Sequence, residues 1–132
     1  MELVYQVNRM PTTEEVIELY RNAGLPRPID DKTRISKMLA NTNLIVTAWD
    51  GNLLVGVSRC LTDFSWCCYL SDLAVRDDYK KKGIGKKLIE LSKESAGEQS
   101  MVLLLSVPSA MEYYPKAGML QLDNAFWIQR KY

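Results

Sequence analysis

A chain of 132 residues, 47% hydrophobic and 25% charged, has the size and make-up of one globular domain that can bury a core. Seventeen Lys and Arg against sixteen Asp and Glu leave a formal charge of +1, which excludes a global pull toward nucleic acid or an anionic membrane surface. Histidine is absent and no C-x-x-C pair occurs, so His-based triads and shuttles and the usual zinc sites are excluded, and no metal is expected.

Leu3 to Val7 is short and β-prone. Thr12 and Glu15 have the spacing of a capping box, predicting a helix that presents Val16, Ile17, Tyr20 and Ala23 on one stripe and stops at Gly24. Leu25-Pro26-Arg27-Pro28 cannot be helical, and a second short helix follows, capped by Asp30 or Asp31 and ending at Asn41. The β-branched run Leu44 to Trp49, the turn signal Asp50-Gly51, a return strand Leu53 to Leu61, a turn at Asp63-Phe64-Ser65 and the stretch Trp66 to Val75 predict a three-stranded antiparallel meander. The three cysteines, Cys60, Cys67 and Cys68, fall within these strands and read as small hydrophobes of a reducing compartment. A helix then opens at Gly83-Ile84-Gly85 and closes at Gly97. Met101 to Ser106, apolar on both faces, is expected to be a central strand, and Ser109 with Glu112 to form a second capping box for a helix ending at Ala117-Gly118. Ala125 to Ile128 is expected to supply a last strand. The order β-α-α-β-β-β-α-β-α-β describes one α/β domain over residues 1–132, a mixed, mainly antiparallel sheet flanked by helices.

No stretch approaches the roughly 18 apolar residues of a membrane span, and no basic region precedes an apolar run at the N-terminus, so a cytoplasmic location is expected. Little chain follows Ala125 to Ile128, so the last sheet edge is expected to be either irregular or completed by a second copy, which would make a homodimer.

The informative segment runs from Leu73 through Lys80-Lys81-Lys82-Gly83-Ile84-Gly85-Lys86. The first amides of a helix lack carbonyl partners and carry the positive end of its dipole, so a phosphate placed there meets several N–H donors, and glycine lets it come close. Five lysines among the eight residues Lys80 to Lys87 add a positive field. A tight strand-to-helix connection and a solvated lysine face would leave the same residues. A Walker loop is disfavoured because Lys87, not Ser or Thr, follows Gly85-Lys86, and a dinucleotide fingerprint fails because its third glycine would be Leu88 and no parallel βαβ repeat precedes it.

Lys80-Lys-Lys-Gly83-Ile-Gly85 after Leu73-Ala74-Val75 resembles the Gln/Arg-x-x-Gly-x-Gly/Ala signature of the GNAT superfamily of N-acetyltransferases, with Lys80 at the Gln/Arg position. Tyr113-Tyr114-Pro115-Lys116-Ala117-Gly118-Met119 is similar to that superfamily's Phe-Tyr-x-x-x-Gly-Phe segment. The resemblance implies acetyl-CoA as co-substrate and coenzyme A as product. It implies that the diphosphate lies on Lys80, Lys81, Lys82, Gly83, Ile84, Gly85 and Lys86, and that the pantetheine arm lies along the backbone of Leu73, Ala74 and Val75. Tyr114 aligns with the tyrosine that protonates the leaving thiolate. Asp72, a carboxylate in a largely apolar strand, is either a base acting through water or a structural group that caps a bulge or pairs with a nearby cation. The acceptor would be a small-molecule or peptide amine, entering near the segment 25–31, where Arg27, Arg34, Trp49, Phe64 and Trp66 are unassigned lining candidates. A non-catalytic acyl-CoA-binding module and, on the lysine run, a nucleic-acid-binding domain are the alternatives.

Overall fold

The structure is a computed structural model that describes residues 2–132. A five-stranded sheet has the order β1-β2-β3-β4-β5. Its strands are β1 (Leu3–Val7), β2 (Leu44–Asp50), β3 (Leu53–Thr62), β4 (Cys67–Val75) and β5 (Met101–Leu103). The first four pair antiparallel in succession; β5 is parallel to β4. Such a parallel pair needs a crossover. Helix α3 (Ile84–Ala96) provides it on one face, while α1 (Thr13–Ala23) and α2 (Lys32–Ala40) cover the other.

Local chemistry explains the boundaries. Thr12 Oγ1 accepts from the Glu15 amide at 3.1 Å while Glu15 Oε1 accepts from the Thr12 amide at 2.9 Å, so the expected capping box forms, worth about 1 kcal/mol. Gly24, with φ of 73°, ends α1 in the left-handed region. Asp31, the second of the two expected caps, accepts from the Arg34 amide at 3.0 Å. The β2–β3 loop is Gly51-Asn52, one residue later than Asp50-Gly51, with Asp50 paired to Leu53 inside the ladder. At the next turn Asp63 Oδ1 accepts from the amides of Ser65, Trp66 and Cys67, which depress its pKa to about 2. Trp66 lies before β4 and is exposed.

The core has two sides. Val16, Leu19 and Tyr20 of α1 and Ile35 of α2 pack on Ile45, Trp49, Val57 and Ala74; on the opposite face Ile84, Leu88 and Ile89 of α3 cover Val46, Val55, Cys60 and Leu70. The register of β3 on β4 slips between Arg59 and Cys60, which face Asp72 and Leu70. Ser71 is therefore a bulge residue, which explains why Leu70 and Leu73, three apart, turn to the same side.

Three expectations need correction. Met101 to Ser106 is not a central strand: only Met101–Leu103 pair, at the sheet edge, and Leu104 is apolar because it packs under α3 and lines a cavity. The Ser109–Glu112 box does not form, because Pro108–Ala110 wind into a 3-10 turn and α4 (Tyr113–Lys116) starts without a side-chain cap. Ala125 to Ile128 has no strand partner, and Phe126 and Ile128 are 97% and 100% exposed. β-Propensity without a ladder to join does not make a strand.

Candidate active site

Pairing between β4 and β5 ends at Tyr69 and Leu103, while β4 continues to Val75. The free edge of β4 borders a cavity of about 730 Å³. Loop 23–27 closes one side, and residues 104–117 the other. At one end are Lys80, Lys81 and the start of α3; at the other are Arg27, Leu70, Ser71 and Tyr114.

The α3 end presents free backbone donors. Gly83 caps α3 in the left-handed region at φ 79°, and Lys81 has φ 64°. Among the described residues, the amides of Lys81, Lys82, Gly83, Ile84, Gly85 and Lys86 donate to no protein acceptor. Consecutive amides freed by such alternation form an anion-binding concavity. The first turn of α3 holds no carboxylate, unlike that of α1 with Glu14 and Glu15, so the positive dipole end is left for an outside charge. A Cβ on Gly83 would meet nothing within 4 Å, so open space surrounds it. A Cβ on Gly85 would lie 2.3 Å from the Tyr113 hydroxyl, which rests against the helix start.

Contacts with α1 anchor the loop while leaving these amides free. Arg76 pairs with Glu18, its Nη1 at 2.7 Å from Oε1; the Asp77 amide donates to Asn22 Oδ1 at 2.8 Å; and Lys80 Nζ donates to the Ala23 carbonyl at 3.1 Å. Lys80 therefore faces the α1 terminus as well as the cavity.

Of the residues singled out by the sequence, Leu73, Ala74, Val75, Lys80, Lys81, Gly83, Ile84, Gly85, Lys86 and Tyr114 all border this cavity. Lys82 and Asp72 do not. Tyr114 is half-buried against Leu104 and Met119 and meets Tyr113 edge-on, ring centroids 5.2 Å apart. Burial raises its pKa, the neighbouring Tyr113 adds to this, and the positive charge of Arg27 opposes it.

The reading of Asp72 as a base gives way to the ion-pair alternative. Its side chain is fully buried and its oxygens are occupied: Arg27 Nε donates to Oδ1 at 2.5 Å, Arg59 Nε to Oδ2 at 2.5 Å, and the Tyr20 hydroxyl to Oδ2 at 2.8 Å. Burial alone would raise its pKa, yet the hydrogen bonds and charges of Arg59 and Arg27 hold it below the usual value. A carboxylate so stabilised has little affinity for a proton. Of the lining candidates only Arg27 reaches the cavity. Trp49 is buried beneath the Arg9 guanidinium, and Arg34 donates to the Tyr132 carbonyl. The Tyr113 approach to Gly85 left no sequence signal beyond the pair of adjacent tyrosines.

The fold and site can be set beside known proteins. A "probable acetyltransferase" from meticillin-resistant Staphylococcus aureus superposes with a TM-score of 0.82 at 24% identity, covering 98% of this chain and 100% of that one. A GNAT family acetyltransferase from Streptococcus pneumoniae gives 0.77 at 21% identity, covering 98% and 100%. The aminoglycoside N-acetyltransferase AAC(6')-Iy, solved in complex with CoA, gives 0.73 at 12%, covering 98% and 95%. At these identities the likeness is one of fold. No curated protein matches the sequence. The profile of the acetyltransferase (GNAT) family matches residues 10–119, which include the free-amide loop, the open β4 edge and Tyr114. The chain belongs to the acetyltransferase (GNAT) family and is an acyltransferase.

Proposed function

We propose that residues 1–132 form one N-acetyltransferase domain that moves an acetyl group from acetyl-CoA to a primary amine by direct attack on the thioester. The observation that carries this is the run of unclaimed amides from Lys81 to Lys86 at the end of a cavity bordered by an unpaired strand. The residues present fit the co-substrate. Those amides, with the side chains of Lys80, Lys81 and Lys86 that border the cavity, hold the diphosphate, and the β4 backbone at Leu73, Ala74 and Val75 hydrogen-bonds the amide-rich pantetheine arm as an added strand would. Acetyl-CoA bound there would supply the activated thioester carbon and, as coenzyme A, the thiolate leaving group.

The chain's own residues do the rest. A β4 N–H near the bulge stabilises the oxyanion that develops as the neutral amine attacks. As the C–S bond breaks, the Tyr114 hydroxyl gives its proton to the departing sulfur, and the proton shed by the new amide nitrogen restores the phenol through solvent. Asp72 takes no part in proton transfer. The free thiols of Cys60, Cys67 and Cys68 support a reducing cytoplasm as its location, and the exposed Leu120, Phe126, Trp127 and Ile128 support a homodimer. No helix among the described residues is long and apolar enough to cross a membrane.

Acetyl-CoA at a hundredfold excess over its Kd is expected to stabilise the protein by about 2.7 kcal/mol, a rise in Tm on the order of 10 °C. Gly85→Val, which adds three carbons to the first turn of α3 where the Tyr113 hydroxyl now rests, should abolish most of that rise, and its Tm without ligand reports whether the fold is kept. An equal rise in the variant, or none in the wild type, would overturn the reading. Amine-dependent release of free thiol separates the enzyme from a binding-only module.

A further inference from the structure

The acceptor end of the cavity carries an unbalanced charge. Asp72 contributes one negative charge and Arg27 and Arg59 contribute two positive ones, so the buried cluster is left with one positive charge in excess. Arg59 is walled in at 7% side-chain exposure, and Arg27, at 23%, is the member that faces the cavity. A guanidinium has five N–H groups. Three are used: Nε on Asp72 at 2.5 Å, Nη1 on the Pro26 carbonyl at 2.7 Å and Nη2 on the Ser71 carbonyl at 2.7 Å. That leaves two without a protein acceptor among the described residues.

The contacts that consume three donors also hold the plane of the group. Asp72 is fixed by Tyr20 and Arg59, and the Ser71 carbonyl belongs to the β4 bulge, so the fork is pre-set rather than free to follow any ligand. A planar, pre-oriented guanidinium with spare N–H groups is suited to a carboxylate. The rest of the lining agrees. No Asp or Glu borders the cavity to receive a polyamine or an aminoglycoside; Lys80, Lys81 and Lys86 belong to the diphosphate, which leaves Arg27 and Lys116 as the other charged residues of the lining.

Resting on the N-acetyltransferase reading of this site, we propose that Arg27 is a specificity residue that pairs with a carboxylate on the amine acceptor, making amino acids or short peptides with a free carboxylate the substrate class and excluding polycations. The arrangement also serves the chemistry. Arg27 lies close enough to Tyr114 to ease its deprotonation.

The test is a matched panel with acetyl-CoA and thiol detection: phenylalanine, glutamate and glycylglycine, each against its carboxamide, with spermidine and kanamycin as polycations. The quantity read is the carboxylate-to-carboxamide ratio of kcat/KM in wild type divided by that in Arg27→Gln, in which differences of amine basicity cancel. We expect this quotient to be at least about tenfold for a charged hydrogen-bonded partner, with Arg27→Lys intermediate and the polycations poorest in wild type. A quotient near one, or preferred turnover of spermidine or kanamycin, overturns the proposal. If Arg27→Gln does not fold, the Arg27→Lys quotient and the wild-type ranking decide in the same sense. A preference for succinyl-CoA over acetyl-CoA that depends on Arg27, without any preference among the amines, places the carboxylate on the acyl donor and overturns the acceptor assignment. No turnover with any amine overturns the acceptor class alone if acetyl-CoA raises Tm, and the site reading with it if acetyl-CoA does not.

Discussion

Asp72→Asn is expected to lower the stability of the fold by about 3–5 kcal/mol, a large share of the roughly 5–15 kcal/mol that a domain has. The carboxylate is the only acid within a buried group that contains Arg27, Arg59 and the Tyr20 hydroxyl. Its amide replacement leaves two guanidinium groups facing each other with no counter-charge, and an amide NH₂ pointed at donors. Urea denaturation checks this, and a midpoint within error of wild type would refute it. The pH dependence follows with a definite sign. Because the folded pKa of Asp72 is depressed, its contribution is complete above the unfolded carboxyl value of about 3.9 and is lost as pH falls through the lower folded value. The wild type therefore loses stability in acid below about pH 4, and the variant lacks that part of the slope.

Tyr114→Phe should lower kcat by about 10²–10⁴-fold while leaving the KM for acetyl-CoA little changed. The ring packs beside Leu104, Ala117 and Met119 under α3, and phenylalanine keeps that packing, so only the proton donor is lost. The acid form is the active one. Burial, reinforced by Tyr113 and opposed by Arg27, raises its pKa above the ordinary value of 10.0, so wild-type activity should persist through neutral and mildly alkaline pH and fall only as pH rises through that raised value. The variant should show neither the activity nor this alkaline limb. Steady-state kinetics across pH measure both, and unchanged turnover would remove Tyr114 from proton transfer.

What could be read from the residues followed the range of the interaction. The Thr12–Glu15 box, the stop at Gly24, the hairpin at Gly51 and the opening of α3 at Gly83 involve neighbours within four positions, so the chemistry that fixes them is contained in a short window. The same holds for the free-amide loop, a property of backbone conformation that two glycines announce. The strand ends were harder. Met101 to Ser106 and Ala125 to Ile128 have similar apolar character, but pairing depends on long-range placement: only Met101 to Leu103 lie against β4, as far as Tyr69, and the rest of its edge to Val75 stays open. Asp72 was recognisable as a carboxylate in need of a partner, yet its partners lie 13, 45 and 52 positions away, and no local pattern distinguishes an ion pair from a base at that distance. Arg27, a charge between two prolines, was visible as one of five acceptor-lining candidates with nothing local to single it out. Its role depends on the bulge at Ser71, which appears only once β3 and β4 are in register.

Acetyl transfer as proposed requires above all that the amides at the start of α3 hold the diphosphate. In a ¹H–¹⁵N correlation spectrum of the labelled protein, adding coenzyme A should shift the amide signals of Lys81 through Lys86 more than any others, and pantetheine, which has no diphosphate, should leave them in place while perturbing Leu73 and Val75. Coenzyme A binding that leaves the Lys81–Lys86 signals unmoved would contradict the account.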